Sequence, residues 1–298
     1  MSAPPRSFHD ALRQEDFVLT AHLPLDSGTV GDDVRAAVAT LRDAFDAVQI
    51  SDNPNAHPHV SPIAAASLVL AGGMDPIVHL GCRDRNRIAL QSDLMGAAAI
   101  GVTSLVLTRG EKLPASLKQK VKGVFDIGAQ RLIATAQALA ANPRLVPPPG
   151  FFIGSNVTAL DPPEDWAADG VDGKADAGIK FVQTQPCLDS DVLRRYMAAL
   201  VGRKLLERLS VIVQVPLIDS VEMLQELRRA RRPLLISPGV LERLRQSPDI
   251  AGEGEAVCAE VLEQIATVPG VSGANLVYRG EHARALRIAA RGRAAMHA

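Results

Sequence analysis

HLGCRDRNRIALQSDLMGAAAIGVTSLVLTRGE, residues 79–111, decides the fold. Its left flank, Ile77 to Gly81, is a short β-rich run. Arg87 to Ile100 then carries apolar residues at helical spacing, and Thr103 to Thr108 is a second β-rich run ending in Arg109-Gly110-Glu111. The order is strand, helix, strand, with polar groups gathered where both strands end. An α/β barrel has this arrangement at its active face, because the loops after its strands converge there.

The same alternation continues in both directions. Residues 1–16 read as an exposed leader, followed by a strand at Phe17–Leu23, a helical stripe from Val34 to Ala44 and a strand at Ala47–Ser51. Ser51-Asp52-Asn53-Pro54-Asn55 is turn chemistry, and Ser61–Leu70 is an Ala-rich helix with Pro62 in its first turn. Beyond the central stretch, Lys112–Lys122 reads as a polar loop, Val124–Ala141 as a helix and Phe151–Val157 as a strand. Asp161–Gly173, rich in Pro, Asp and Gly, reads as a loop or ragged helix before the strand Ile179–Gln183. Asp191–Leu209 is helical, Val211–Val215 a strand, Val221–Arg229 a helix and Leu234–Ile236 a short extended piece. Helices at Val240–Leu244 and Glu255–Ile265 precede a last strand, Ala274–Tyr278.

Eight principal strands alternating with helices imply a parallel sheet, closed or open. An open dinucleotide-binding sheet announces itself with G-x-G-x-x-G after its first strand, whereas Pro24-Leu25-Asp26-Ser27-Gly28 stands there. The pattern therefore predicts one α/β domain, a single (β/α)8 TIM barrel over residues 17–290 with a tail at 291–298.

Composition supports a large aliphatic core: 47% of the 298 residues are hydrophobic, yet only one Trp, two Tyr and seven Phe are present. A net charge of -1 with both signs interspersed gives no footprint for nucleic acid. The longest apolar stretch, Leu94 to Thr108, is broken by Gly96, Gly101, Thr103 and Ser104, so no membrane span is expected. The start has acids and no apolar segment, and Cys82, Cys187 and Cys258 form no CxxC pair, so the expectation is a cytoplasmic protein with bystander thiols. His57-Pro58-His59 lacks a nearby acid or Cys, so no metal is expected.

The central stretch resembles the flavin-dependent methylenetetrahydrofolate reductases. In them a strand ending His-Leu-x-Cys, an R-D-R-N-x-x-x-L-Q-S-D-L helix and a strand ending in Gly plus an acid recur in this order. The resemblance extends from Phe17 to Tyr278. It implies a (β/α)8 flavoprotein that takes hydride from NADH or NADPH onto FAD and then onto the one-carbon unit of 5,10-methylenetetrahydrofolate, or runs the reverse methyl oxidation. A homo-oligomer is compatible with it.

Residue by residue, the resemblance gives Ser51, His79, Arg109, Gly110, Ser155, Asn156 and Lys174 to the cofactor. Gly110 lets backbone approach a flat ring, and Glu111, where the family has Asp, orients the pterin or tunes the flavin. Gln185, in Gln183-Thr184-Gln185-Pro186, corresponds to a folate-binding Gln whose amide suits the pyrimidine edge. Arg279 faces the folate's glutamate tail, and Asn275 stands where relatives have His.

His22 is the departure with most at stake, since relatives have a Glu there that helps protonate the substrate. An imidazolium with a pKa near 6.5 can deliver the same proton while cationic. His22, Asn275 and the Gly- and Pro-rich segment before Lys174 also support an alternative, a catalytically diverged folate-binding or accessory-subunit protein.

Overall fold

The structure, a computed structural model, describes residues 6–114, 117, 120–145, 148–230 and 233–296. Apolar β-branched runs form the strands β1 (Val18–His22), β2 (Ala47–Ile50), β3 (Pro76–Gly81), β4 (Ser104–Thr108), β5 (Phe152–Asn156), β6 (Phe181–Leu188), β7 (Ser210–Pro216), β8 (Leu235–Ile236) and β9 (Val271–Val277). Between and around them lie α1 (Phe8–Gln14), α2 (Gly31–Leu41), α3 (Pro62–Ala71), α4 (Arg87–Ala99), α5 (Ala129–Ala140), α6 (Asp169–Asp176), α7 (Ser190–Gly202), α8 (Val221–Arg229), α9 (Pro238–Gln246), α10 (Ile250–Ala266) and α11 (His282–Met296). Side chains at helix starts fix several of these boundaries: Ser61, Asn86, Asp189, Ser220, Ser237 and Asp249 each accept a backbone N–H of the first turn.

Every strand pairing is parallel, and β5–β6 and β1–β9 contacts close the sheet into an eight-stranded barrel. The expected (β/α)8 barrel is the fold. β8 lies outside the ring as a two-residue extension against the end of β6.

Side chains alternate in and out along a strand. One inward set, Val18, Ala47, Ile77, Val106, Phe152, Phe181 and Ile212, forms the barrel floor together with Phe8 and Ala11 of α1. Phe152 and Phe181 stack at 5.2 Å and 14°, and Phe8 meets Phe181 edge-on at 5.2 Å. Gly154 makes room for this, since a Cβ there would stand 2.4 Å from the Phe181 ring. The Phe8 N–H donates to the buried Asp75 carboxylate at 2.7 Å. Burial raises the Asp75 pKa to about 6, against the lowering effect of that bond.

The stretch expected as an exposed leader is thus partly a plug, and α1 is too short a stripe to stand out in the sequence. The first and last described segments also meet: Arg6 at 3.3 Å and Arg293 at 3.1 Å both reach the Asp46 carboxylate, which also accepts the Leu19 N–H.

Several boundaries differ from expectation: α7 ends at Gly202 rather than Leu209, α10 starts at Ile250 rather than Glu255, and β6 runs on to Leu188. The helix expected from Val124 starts at Ala129, because the chain before it folds back onto the loop after β3 through Val124 N–H to Arg83 O and Phe125 N–H to Cys82 O. The segment 161–173, expected as a loop or ragged helix, runs into α6 at Asp169. Parts of the polar loop expected at 112–122 lie outside the described residues.

Candidate functional site

Two residues above the floor the same strands turn polar. Thr20, Gln49, His79, Gln183, Gln214 and Asn275 keep the inward parity of Val18, Ala47, Ile77, Phe181, Ile212 and Gly273. A cavity of about 1170 Å³ opens above them at the carboxyl ends of the strands, and His22, Ser51, Tyr278 and Arg279 line it with all of the set but Thr20. Parallel strands buried on both faces ordinarily read as continuous apolar runs, so each of these polar residues is an exception that needs a partner.

A hydrogen-bond chain supplies partners to four of them. The Thr20 hydroxyl donates to Asn275 Oδ1 at 3.0 Å and accepts from Gln49 Nε2 at 3.3 Å. Gln49 Oε1 is left to accept from His79 Nε2 at 2.9 Å, which places the His79 proton on Nε2 and leaves the Nδ1 lone pair free. Enclosure by protein lowers the His79 pKa to about 3, with the neighbouring His22 adding to the effect. His22, with Nδ1 3.4 Å from Ser51 Oγ, is lowered to about 4 by the same desolvation and by His59 and Arg279.

Both imidazoles are therefore held toward the neutral form. For His22 burial is the largest cause, followed by the charges of His59 and Arg279, and each disfavours the imidazolium. The cavity floor is uncharged and rich in donors and acceptors. Charge lies at the rim, where Arg279 pairs with Glu226 at 2.5 Å and both are half exposed.

The remaining expected site residues lie elsewhere. Both amide atoms of Gln185 are spent on Ala159, accepting its N–H at 2.8 Å and donating to its carbonyl at 2.7 Å, so this Gln pins the loop after β5 and does not line the cavity. Glu111 is exposed on the loop after β4 and also lies outside the cavity wall. Ser155 donates to Leu107 O at 2.9 Å on the outer side of the sheet, and Lys174 donates to Asn156 O. Arg109 lies 4.8 Å over the Phe125 ring.

Gly110 has the left-handed φ of 78° that its type permits, but Arg83 rests on it: a Cβ at Gly110 would be 3.0 Å from Arg83 Cβ. Of the positions matched to a flavin, Ser51 and His79 open onto the cavity, while Gly110 is half-buried with Arg83 packed on its Cβ side.

The R-D-R-N motif has a structural role. Arg85 grips Asp52 in two bonds of 2.6 and 2.9 Å and Asp93 at 2.6 Å, and Asp52 also accepts the Gly81 N–H. Arg83 donates to Asp84 and to Asn53 O, and Asn86 caps α4. Bidentate Arg–carboxylate pairs of this kind fix geometry, and here they lock the loops after β2 and β3 together. The thiols are buried, with Cys82 pushed up to about 11 and Cys187 to about 12 by desolvation.

A family profile described as methylenetetrahydrofolate reductase matches residues 36–265, more than half of the chain. The chain belongs to the methylenetetrahydrofolate reductase family. Among solved structures it is similar to an uncharacterized protein from Clostridium thermocellum that binds two copies of 5-methyl-5,6,7,8-tetrahydrofolic acid. That likeness has a TM-score of 0.68 at 10% identity and covers 97% of this chain and 98% of the other, so what it shows is the shared fold. No curated protein matches the chain. Among the described residues no helix is long and apolar enough to cross a membrane.

Strand-end residues legible in the sequence, His22, Ser51, His79, Asn275 and Arg279, come together at this family's barrel mouth. Gln49, Gln183 and Gln214 were missed. Their signal was an amide at an inward position of an otherwise apolar strand.

Proposed function

We propose that the cavity is a reduced-folate site and that the chain acts on the one-carbon unit carried there. The observation that carries this is a neutral floor of amides and imidazoles beneath a charged rim. A pterin is an uncharged heterocycle with donors and acceptors along its edge, and the glutamate tail of a folate is anionic. A floor without charge matches the heterocycle, and at a mouth that also holds Glu226, Asp26 and Asp33 the tail would take Arg279 in exchange for Glu226. Membership of the family and the folate bound by the Clostridium thermocellum protein support the same ligand class.

For activity, the proposal is reduction of 5,10-methylenetetrahydrofolate to 5-methyltetrahydrofolate with NADH or NADPH as hydride source, or the reverse oxidation. The chain's own contribution is to bind and orient the pterin and to exclude water from the floor. Calorimetric titration with 5-methyltetrahydrofolate tests the site, with micromolar or tighter binding expected, about -8 kcal/mol. Following NADH and NADPH oxidation in the presence of methylenetetrahydrofolate tests the reaction.

A second reading, folate binding without reduction, is favoured by the neutral His22 and by Glu111 lying outside the cavity. Folate binding with no nicotinamide turnover would establish it. The family resemblance supports FAD as cofactor, with Ser51 and His79 in the cavity wall, whereas Arg83 against Gly110 opposes it. Titration with FAD decides between them, and no uptake would show that Arg83 keeps the ring out. A flavin spectrum retained after desalting would show that Arg83 moves aside.

A further inference from the structure

Outside the barrel, α8 and the corner between α9 and α10 enclose a cleft of about 520 Å³. Its base is apolar: Leu224 and Leu244 are buried there, and Val221, 49% exposed, and Ile250 edge it. Its rim is cationic, formed by Arg228 and Arg229 of α8 and Arg245 of α9, and no carboxylate lines it.

These three guanidiniums differ from their neighbours. Arg243 is held by Glu253 and Glu260, Arg279 by Glu226, Arg287 by Glu255 and Arg291 by Glu263. Arg228, Arg229 and Arg245 have no ion pair and no side-chain hydrogen bond among the described residues. Nearby acids are engaged elsewhere, Glu226 by Arg279, Glu242 by Gln246 and Asp249 by the Gly252 N–H. Cations in the last turns of α8 and α9 complement the carbonyl ends of those helices. That accounts for a charge at each helix end, but not for two helix ends sharing one apolar cleft without a counter-charge.

We propose that this cleft binds an organic diphosphate of nucleotide size, its apolar body on the leucine base and its phosphates on the three arginines. A guanidinium presents paired N–H donors that match two phosphate oxygens. A diphosphate concentrates enough negative charge to offset three unpaired cations, and the apolar base favours an organic ligand over an inorganic one. The cleft is of small-molecule size, for which about 300–1,000 Å³ is usual. None of its lining residues borders the main cavity, so the assignment does not depend on the folate reading.

Calorimetric titration of the full chain with ADP tests it, against pyrophosphate, which lacks the body, and adenosine, which lacks the charge. ADP should bind one to one, roughly tenfold or more tightly than pyrophosphate, with no heat of binding from adenosine. Its affinity should fall as salt rises, because exposed charges are screened. R245E and the double variant R228Q/R229Q should each weaken ADP binding by roughly tenfold or more without lowering the melting temperature, since the replaced groups have no partner in the protein. R279A, at the main cavity, should bind ADP as the wild type does. Loss of ADP binding in R279A but not in R245E would put the ligand at the mouth and overturn the assignment. So would no binding of ADP at millimolar concentration, equal affinities for ADP and pyrophosphate, or wild-type affinity in R245E and R228Q/R229Q. Binding of an acidic, leucine-rich peptide in place of ADP would also overturn it, by making the cleft a protein-docking surface.

Discussion

The floor and the mouth of this barrel are built from the same strands, two residues apart, and they differ in nearly every physical respect. At the floor, Phe8, Phe152 and Phe181 interlock and each inward side chain is apolar. At the mouth the inward positions are Thr, Gln, His and Asn, and some of their buried atoms have no partner. The floor supplies packing energy, while the mouth gives up stability to keep donors and acceptors available. This division between the two ends is general to the barrel architecture. Here a single step of the pleat separates them.

The comparison can be broken most forcefully at the floor. Phe181→Ala removes a ring that two others pack on, and should cost about 3–5 kcal/mol in urea unfolding. Folate affinity measured on the folded protein should stay within a factor of a few, and a parallel loss of affinity would show that floor and mouth are one unit. Asp75 comes next. Its folded pKa of about 6 lies above the ordinary value of 3.8, so its contribution is fully present below pH 3.8 and is lost as pH rises through 6. Relative to Asp75→Asn, the wild type should therefore lose up to roughly 3 kcal/mol between pH 4 and pH 7. A constant difference in unfolding midpoint across that range would rule the titration out.

At the mouth the expected effects are smaller. Gln49→Leu strips the partner from His79 Nε2 and from Thr20, and should cost about 1–3 kcal/mol of stability while also weakening folate binding. If stability alone changes, the chain of bonds is scaffolding only. His79 and His22 have depressed folded pKa values of about 3 and 4, so the stability they contribute is present above pH 6.5 and is lost as pH falls toward those values. Above pH 6 both are neutral, and folate binding should show no histidine-dependent limb between pH 6 and 8.5. A limb that disappears in His22→Ala would show that the bound ligand restores the imidazolium.

The barrel was legible because its signals are local and repeated: apolar strands, amphipathic helices and turn residues in regular alternation. The family was legible from Arg83-Asp84-Arg85-Asn86 and the helix behind it, yet in three dimensions those residues brace loops through Asp52 and Asp93. A dense motif identified the fold's lineage without marking the ligand's place. The residues that line the cavity are isolated, one per strand, and only strand parity connects them. Parity alone would put Gln183 and Gln185 on one face, but the irregular register of β6 after Gln183 turns the second Gln toward Ala159. His22 was found by position, but its charge state depends on enclosure by distant segments, including Arg279, which a linear sequence does not display.

Asp46 has a practical consequence. Because Arg6 and Arg293 share its carboxylate, the first and last described segments of the chain lie side by side on the floor end, away from the cavity. Neighbouring ends are what circular permutation requires. A short peptide joining them would leave the ring of strands intact, and new ends could be opened in a surface loop. Arg6 and Arg293 thus mark the face opposite the mouth as the side on which the described chain begins and ends.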